Sequence, residues 1–185
     1  MLLRLKVHAI EDHFLMNKRS NKKEVIVLGV DPGTVITGYG VVHHKGSHLQ
    51  AVDYGCIRPP PSKKLSDRYW ILFSGLSDLI EKYSPDMVVV ETQYVHKNVA
   101  SALKLGMARG GVIIAAKKYG LPVMEYPPSK PKLAVTGNGQ ASKKQVQAMV
   151  QKLLNLSKPP PQDAADALSL ALCHLQNKQP QGCEI

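Results

Sequence analysis

The apolar pattern opens with Val25-Ile26-Val27-Leu28-Gly29-Val30, a run rich in β-branched residues that predicts a buried strand. The run ends on Asp31, and Pro32-Gly33 then turns the chain. Residues 38–42 predict the returning strand, and Leu49, Ala51, Val52, Tyr54 and Ile57 a third. Three strands joined by tight turns make an antiparallel meander. Pro59-Pro60-Pro61 breaks the chain. Leu65, Tyr69, Leu72, Phe73, Leu76, Leu79 and Ile80 then fall at helical spacing over Leu65–Tyr83, and Ser84-Pro85 stops that helix. Residues 86–91 repeat the form of the first strand, an apolar run that ends on a carboxylate, Glu91.

Residues 99–119 predict a second helix, with Gly106, Gly110 and Gly111 in its middle. Glycine costs a helix about 1 kcal/mol per site relative to alanine, so the close approach of another backbone is expected there, as part of a dimer contact or as core packing within the protomer. Residues 121–126 predict a fifth strand. Residues 129–139 predict a flexible, cationic loop carrying Lys130 and Lys132. Ser142 and Gln145 match a capping box that opens a helix with Val146, Met149, Val150, Leu153 and Leu154 on one face. Pro159-Pro160-Pro161 breaks the chain again, and a last helix starts near Gln162 and runs through Leu168, Leu170, Ala171, Leu172 and Leu175. The expected class is therefore α/β, a mixed sheet of about five strands flanked by helices, with the first three strands antiparallel.

At 185 residues, 44% hydrophobic and 21% charged, the chain suits one globular domain. That domain is expected over residues 24–177. Residues 1–23 read as a flexible N-terminal extension without the features of a secretory signal, and residues 178–185 as a C-terminal tail. No unbroken apolar run approaches the ~20 residues of a membrane span, so no membrane role is expected. The formal net charge of +10 and pI of about 9.5 favour a polyanionic partner, most often nucleic acid. Cys56, Cys173 and Cys183 form no CxxC pair, which argues against a zinc site or a disulfide framework and fits a reducing cytoplasm.

The last helix opens with Asp163-Ala164-Ala165-Asp166. Acids three apart share a helix face, and in a first turn they ordinarily complement the helix dipole. Here alanines make the same face lean, and the apolar residues beyond must pack on the core. Asp31 and Glu91 cap two buried strands, so a helix lying across the strand ends would bring all four acids together. Carboxylates gathered in this way repel one another unless a cation sits between them, and hard oxygen ligands suit Mg²⁺ or Mn²⁺. Two such ions support phosphodiester hydrolysis, and the basic surface would hold the nucleic-acid backbone.

Several stretches carry a resemblance that is specific when they are taken together. They are Leu28-Gly29-Val30-Asp31-Pro32-Gly33-Thr34 with Thr37-Gly38-Tyr39-Gly40, and Lys97-Asn98 with Ser101-Ala102-Leu103-Lys104-Leu105-Gly106 and Ala108-Arg109-Gly110. To these add Ala134-Val135-Thr136-Gly137-Asn138-Gly139, Lys143-Lys144-Gln145-Val146-Gln147 and Asp163-Ala164-Ala165-Asp166-Ala167-Leu168. Over residues 25–176 the chain resembles the RuvC family of Holliday-junction resolvases. The resemblance implies a ribonuclease-H-like fold and a homodimeric endonuclease that cuts two opposed strands of a four-way DNA junction symmetrically. It places the catalytic, metal-holding carboxylates on Asp31, Glu91, Asp163 and Asp166, with two Mg²⁺ ions per site and Mn²⁺ as a substitute. It places a junction-stacking aromatic on Tyr94 and DNA-contacting lysines on Lys132 and Lys143, and it implies a branch-migration motor as partner. Pro131, directly before Lys132, departs from the family pattern and is expected to stiffen that loop. Nothing carries over onto residues 1–23.

Three other readings compete. An actin-like ATPase or sugar kinase also uses an Asp-x-Gly-Thr turn, but it needs two related domains and the chain is too short for them. A ribonuclease-H-like nuclease acting on RNA would use the same acids. A basic junction-binding protein without catalysis would tolerate loss of all four.

Overall fold

The computed structural model describes residues 24–92, 98–176 and 182–185. Its elements follow in the order β1 (Glu24–Asp31), β2 (Thr37–Lys45), β3 (His48–Ile57), α1 (Leu65–Tyr83), β4 (Met87–Glu91), α2 (Val99–Lys118), β5 (Val123–Tyr126), α3 (Ser129–Thr136), α4 (Lys143–Leu153), α5 (Gln162–Gln176) and β6 (Cys183–Glu184). They form one mixed sheet ordered β3-β2-β1-β4-β5-β6. The meander β1-β2-β3 is antiparallel, β1, β4 and β5 run parallel, and β6 returns antiparallel on β5. The sixth strand comes from the segment expected to be a tail: two residues pair with Met124 and Glu125 at the sheet edge.

Strand periodicity sorts the side chains into two cores. Val27, Val42, Val89 and Tyr126 face α4 and α5, whereas Leu28, Val30, Val41, Val88 and Val90 face α1 and α2. The central strands β1 and β4 are covered on both faces, which is why they read as continuous apolar runs rather than alternating ones. Ser142 caps α4, its side chain accepting from the Gln145 backbone N–H while the Gln145 side chain reaches back, as the capping box predicts.

One expectation is corrected. Residues 129–139 are not mainly loop: Ser129–Thr136 form α3, ended by Gly137 in the left-handed region at φ 74°. The prolines that suggest a break fall at its start, Pro128 as N-cap and Pro131 in the first turn, where the missing N–H would have no intrahelical partner anyway. Pro131 therefore sits in a helix, and it is buried.

The α2 glycines leave the dimer contact as the place for the close approach expected there. A Cβ at Gly106, Gly110 or Gly111 would meet nothing within 4 Å, so among the described residues no backbone of this protomer packs on them. By length and mean hydropathy (1.4) α2 would qualify to cross a membrane, although the sequence shows no unbroken apolar run of that length. In the fold α2 packs along α1 and is tied to the sheet by an Arg109–Glu125 ion pair whose side chains are 22% and 16% exposed.

Candidate active site

Asp31 and Glu91 end β1 and β4, which are adjacent and parallel with Val30 opposite Val90. Alternation along each strand puts Asp31 on the face of Val27 and Glu91 on the face of Val89, so both carboxylates emerge on the same side of the sheet. That side is crossed by α5. The approach is unusually close because glycine faces alanine. A Cβ on Gly29 would lie 2.0 Å from the Ala167 carbonyl oxygen, and one on Gly38 would lie 2.0 Å from that of Asp163. On Gly40 it would meet the Leu168 side chain at 2.6 Å. Ala164, Ala167 and Ala171 are fully buried on the helix side of this seam. Backbone thus rests on backbone, and the first turns of α5 are held over the ends of β1 and β4.

The result is a cavity of about 180 Å³ lined by Asp31, Glu91, Asp166, Lys132 and Lys143, with Pro128, Pro131 and Ser169 completing its walls. Lys132 reaches it from α3 and Lys143 from the start of α4. Asp163 does not line the cavity, yet its charge acts on Asp31. The structure therefore brings five of the seven expected residues into one cavity and sets Asp163 near enough for its charge to act on Asp31. The seventh, Tyr94, lies outside the described residues, as does the extension 1–23.

Burial pushes the Asp31 carboxyl up to about 7, with repulsion from Asp166 and Glu91 adding to it and Lys143 opposing it. Burial likewise raises Glu91, helped by Asp166 and opposed by Lys132 and Lys143. Lys143 donates to Asp166 Oδ2 at 2.8 Å, and that bond raises its own pKa. Among the described residues no three acid, histidine or cysteine side chains are closed into a ready metal cage; an ammonium group is the nearest partner of Asp166. The donor set nevertheless fits a hard cation. It consists of acidic oxygens, two of which are driven toward protonation by crowding and burial, the condition a divalent ion relieves.

Sequence reasoning did not reveal the Lys143–Asp166 pair, nor Cys56, whose backbone pairs with Gly38 and whose thiol feels Asp163 and Arg58 while burial raises its pKa. No periodicity or motif signals such neighbours, because β3, α4 and α5 meet only in the tertiary fold.

A mixed sheet with an antiparallel meander, two strand-end acids and a crossing helix that bears two more defines a ribonuclease-H-like nuclease framework. The family profile described as crossover junction endodeoxyribonuclease RuvC matches residues 27–174. The chain is 64% identical over 154 residues to the crossover junction endodeoxyribonuclease RuvC of Protochlamydia amoebophila, covering 83% of this chain and 92% of that protein. It also resembles the solved T. thermophilus RuvC in complex with Holliday junction substrate, with 31% identity and a TM-score of 0.81 over 87% of this chain and 99% of that one. The yeast mitochondrial Holliday junction resolvase Ydc2, 16% identical with a TM-score of 0.57 over 91% of this chain and 83% of that one, shares the fold. The chain belongs to the RuvC family of crossover junction endodeoxyribonucleases.

Proposed function

We propose that this protein is a Holliday-junction resolvase, a divalent-metal-dependent endodeoxyribonuclease that cuts four-way DNA junctions in recombination and repair. The observation that carries the reading is the placement of Asp31 and Glu91 on one sheet face under Asp166, with Lys132 and Lys143 on the rim of the same cavity. Asp31, Glu91, Asp163 and Asp166 would hold two Mg²⁺ ions, with Mn²⁺ as a substitute. When bound, the ions supply Lewis-acid activation of water and charge stabilisation at the leaving oxygen. The carboxylates fix where the scissile phosphate lies relative to that centre. Lys132 and Lys143 neutralise the backbone on either side of it, and Lys143 is free to do so once a cation replaces it at Asp166. Tyr94, directly beyond the strand that presents Glu91, is assigned the stacking contact with a base at the crossover, worth ~1–3 kcal/mol.

Paired incision of a nearly two-fold junction calls for a two-fold dimer. The support for one is an exposed apolar groove on the side of the sheet away from the acids, lined by Tyr69, Trp70 and Phe73 of α1 and Met107, Gly110 and Ile114 of α2. Trp70 is 66% exposed and Ile114 63%. The open glycines let a second helix approach closely, so the groove is assigned to a second copy of this chain. A cytoplasmic setting fits a chain whose three cysteines include no CxxC pair, and a branch-migration motor is the partner class that goes with the resolvase reading.

The test is cleavage of a mobile four-way junction and a linear duplex in Mg²⁺ by the wild type and Asp31→Asn. Symmetric nicking of the junction alone is expected, lost in Asp31→Asn with binding retained. Junction binding without cleavage in either Mg²⁺ or Mn²⁺ would leave a non-catalytic junction-binding protein in its place.

A further inference from the structure

Directly after Asp31 the chain runs through residues 32–36 before β2 begins. This turn is tightly made. The Thr37 hydroxyl donates to the Gly33 carbonyl at 3.0 Å and accepts from the Gly33 N–H at 3.1 Å. A Cβ at Gly33 would lie 2.0 Å from the Ile36 carbonyl oxygen. A further hydrogen bond reaches the turn from outside: Nη2 of Arg68, in the first turns of α1, donates to the Thr34 carbonyl. The guanidinium is otherwise poorly served. Its Nε is buried without an acceptor, and no carboxylate pairs with it among the described residues. A half-buried cation that has a single carbonyl acceptor among the described residues is an expensive way to fill space, which an apolar side chain would do at lower cost. The arrangement makes sense if the tie itself matters.

We infer that Arg68 is a positioning residue for the nuclease centre: it clamps the 32–36 turn onto α1 and thereby holds Asp31 in line with Glu91 and Asp166. The inference rests on the resolvase reading above. Arg68 is not among the residues that line the cavity, so its loss is expected in the chemical step and not in junction affinity. Misplacement of a reacting group by about 1 Å costs on the order of 100-fold in rate.

The experiment compares full-length wild type, Arg68→Gln and Arg68→Lys on a four-way junction. Three quantities are read: the single-turnover cleavage rate at saturating enzyme in Mg²⁺, the junction Kd and its salt dependence in EDTA, and amide hydrogen exchange of residues 33–37 without DNA. For Arg68→Gln the rate should fall about 100-fold while Kd and salt slope stay as in the wild type, and exchange should quicken in the turn but not in β4. Arg68→Lys, which keeps a donor of similar reach, should recover part of the rate, and it carries the test if Arg68→Gln does not fold. An unchanged rate overturns the inference. So does a loss that follows Kd with a salt slope lower by about one, which would make Arg68 a phosphate contact. Faster exchange throughout the chain with an unaltered rate would reduce it to a stability residue. If the wild type cleaves no junction, the resolvase reading fails, while the exchange data still report whether the clamp exists.

Discussion

Gathering four acids in one place has a cost that can be measured without DNA. Asp31 in the folded chain titrates near 7 against an ordinary 3.8, because it is buried and faces Asp166, Glu91 and Asp163, with Lys143 giving only partial relief. An acid raised in this way leaves the fold unpenalised below its unfolded pKa. Stability is then lost as pH climbs through the folded value, since the unfolded chain releases the proton and the native site resists doing so. With these two values the linkage relation gives a loss of about 3 kcal/mol between pH 5 and pH 8, a fall in Tm of roughly 5–10 °C for a chain of this size. The perturbation is Asp31→Asn, which removes the charge and keeps the shape. In EDTA the variant should exceed the wild-type Tm only modestly at pH 5, where about 1.7 kcal/mol of the penalty is already present, and clearly at pH 8, while losing cleavage. Saturating Mg²⁺ should raise the wild-type Tm at pH 8 and leave the variant little changed. Circular-dichroism melts across pH 5–8.5, with and without Mg²⁺, check this. A wild-type Tm that runs parallel to that of Asp31→Asn across the whole range would refute the account of the site as a strained anionic cluster.

Two further outcomes follow from the packing. Gly38→Ala would place a Cβ 2.0 Å from the Asp163 carbonyl oxygen, so α5 must lift; a destabilisation of ~1–3 kcal/mol is expected in denaturant melts, with loss of cleavage. Gly106→Ala, with open space around it, should instead stabilise α2 by up to about 1 kcal/mol. For the apolar groove, Trp70→Glu combined with Ile114→Glu should give a monomer by light scattering, with an intact circular-dichroism spectrum and loss of paired cutting. A dimer that persists would move the interface elsewhere.

The legible parts of this protein are those that depend on local spacing. The β1 and β4 runs, the α1 periodicity and the Ser142 capping box appear in the fold where the chain pattern puts them. The α3 helix was not legible, because Pro128, Ser129 and Pro131 read as breakers unless it is known that they occupy an N-cap and a first turn. The role of the α2 glycines was not legible either. Spacing marks them as odd, but only the packing shows that the space beside them is left open by the described residues.

Most of the elements, the four candidate acids and the family are written in the chain, since period, capping and motif order are properties read in one dimension; α3 and β6 are the exceptions. The chain also determined why the acids can meet, by placing glycines in β1 and β2 and alanines in α5. Which of these meetings occur depends on the folded packing. Asp31, Glu91 and Asp166 share a cavity with Lys132 and Lys143, while Asp163 stands just outside it. Lys143 rests on Asp166, and Arg68 reaches back 34 residues to the turn after Asp31. These contacts join elements far apart in the chain, and their geometry follows from how closely α5 and α1 settle on the sheet, a distance that no local pattern encodes.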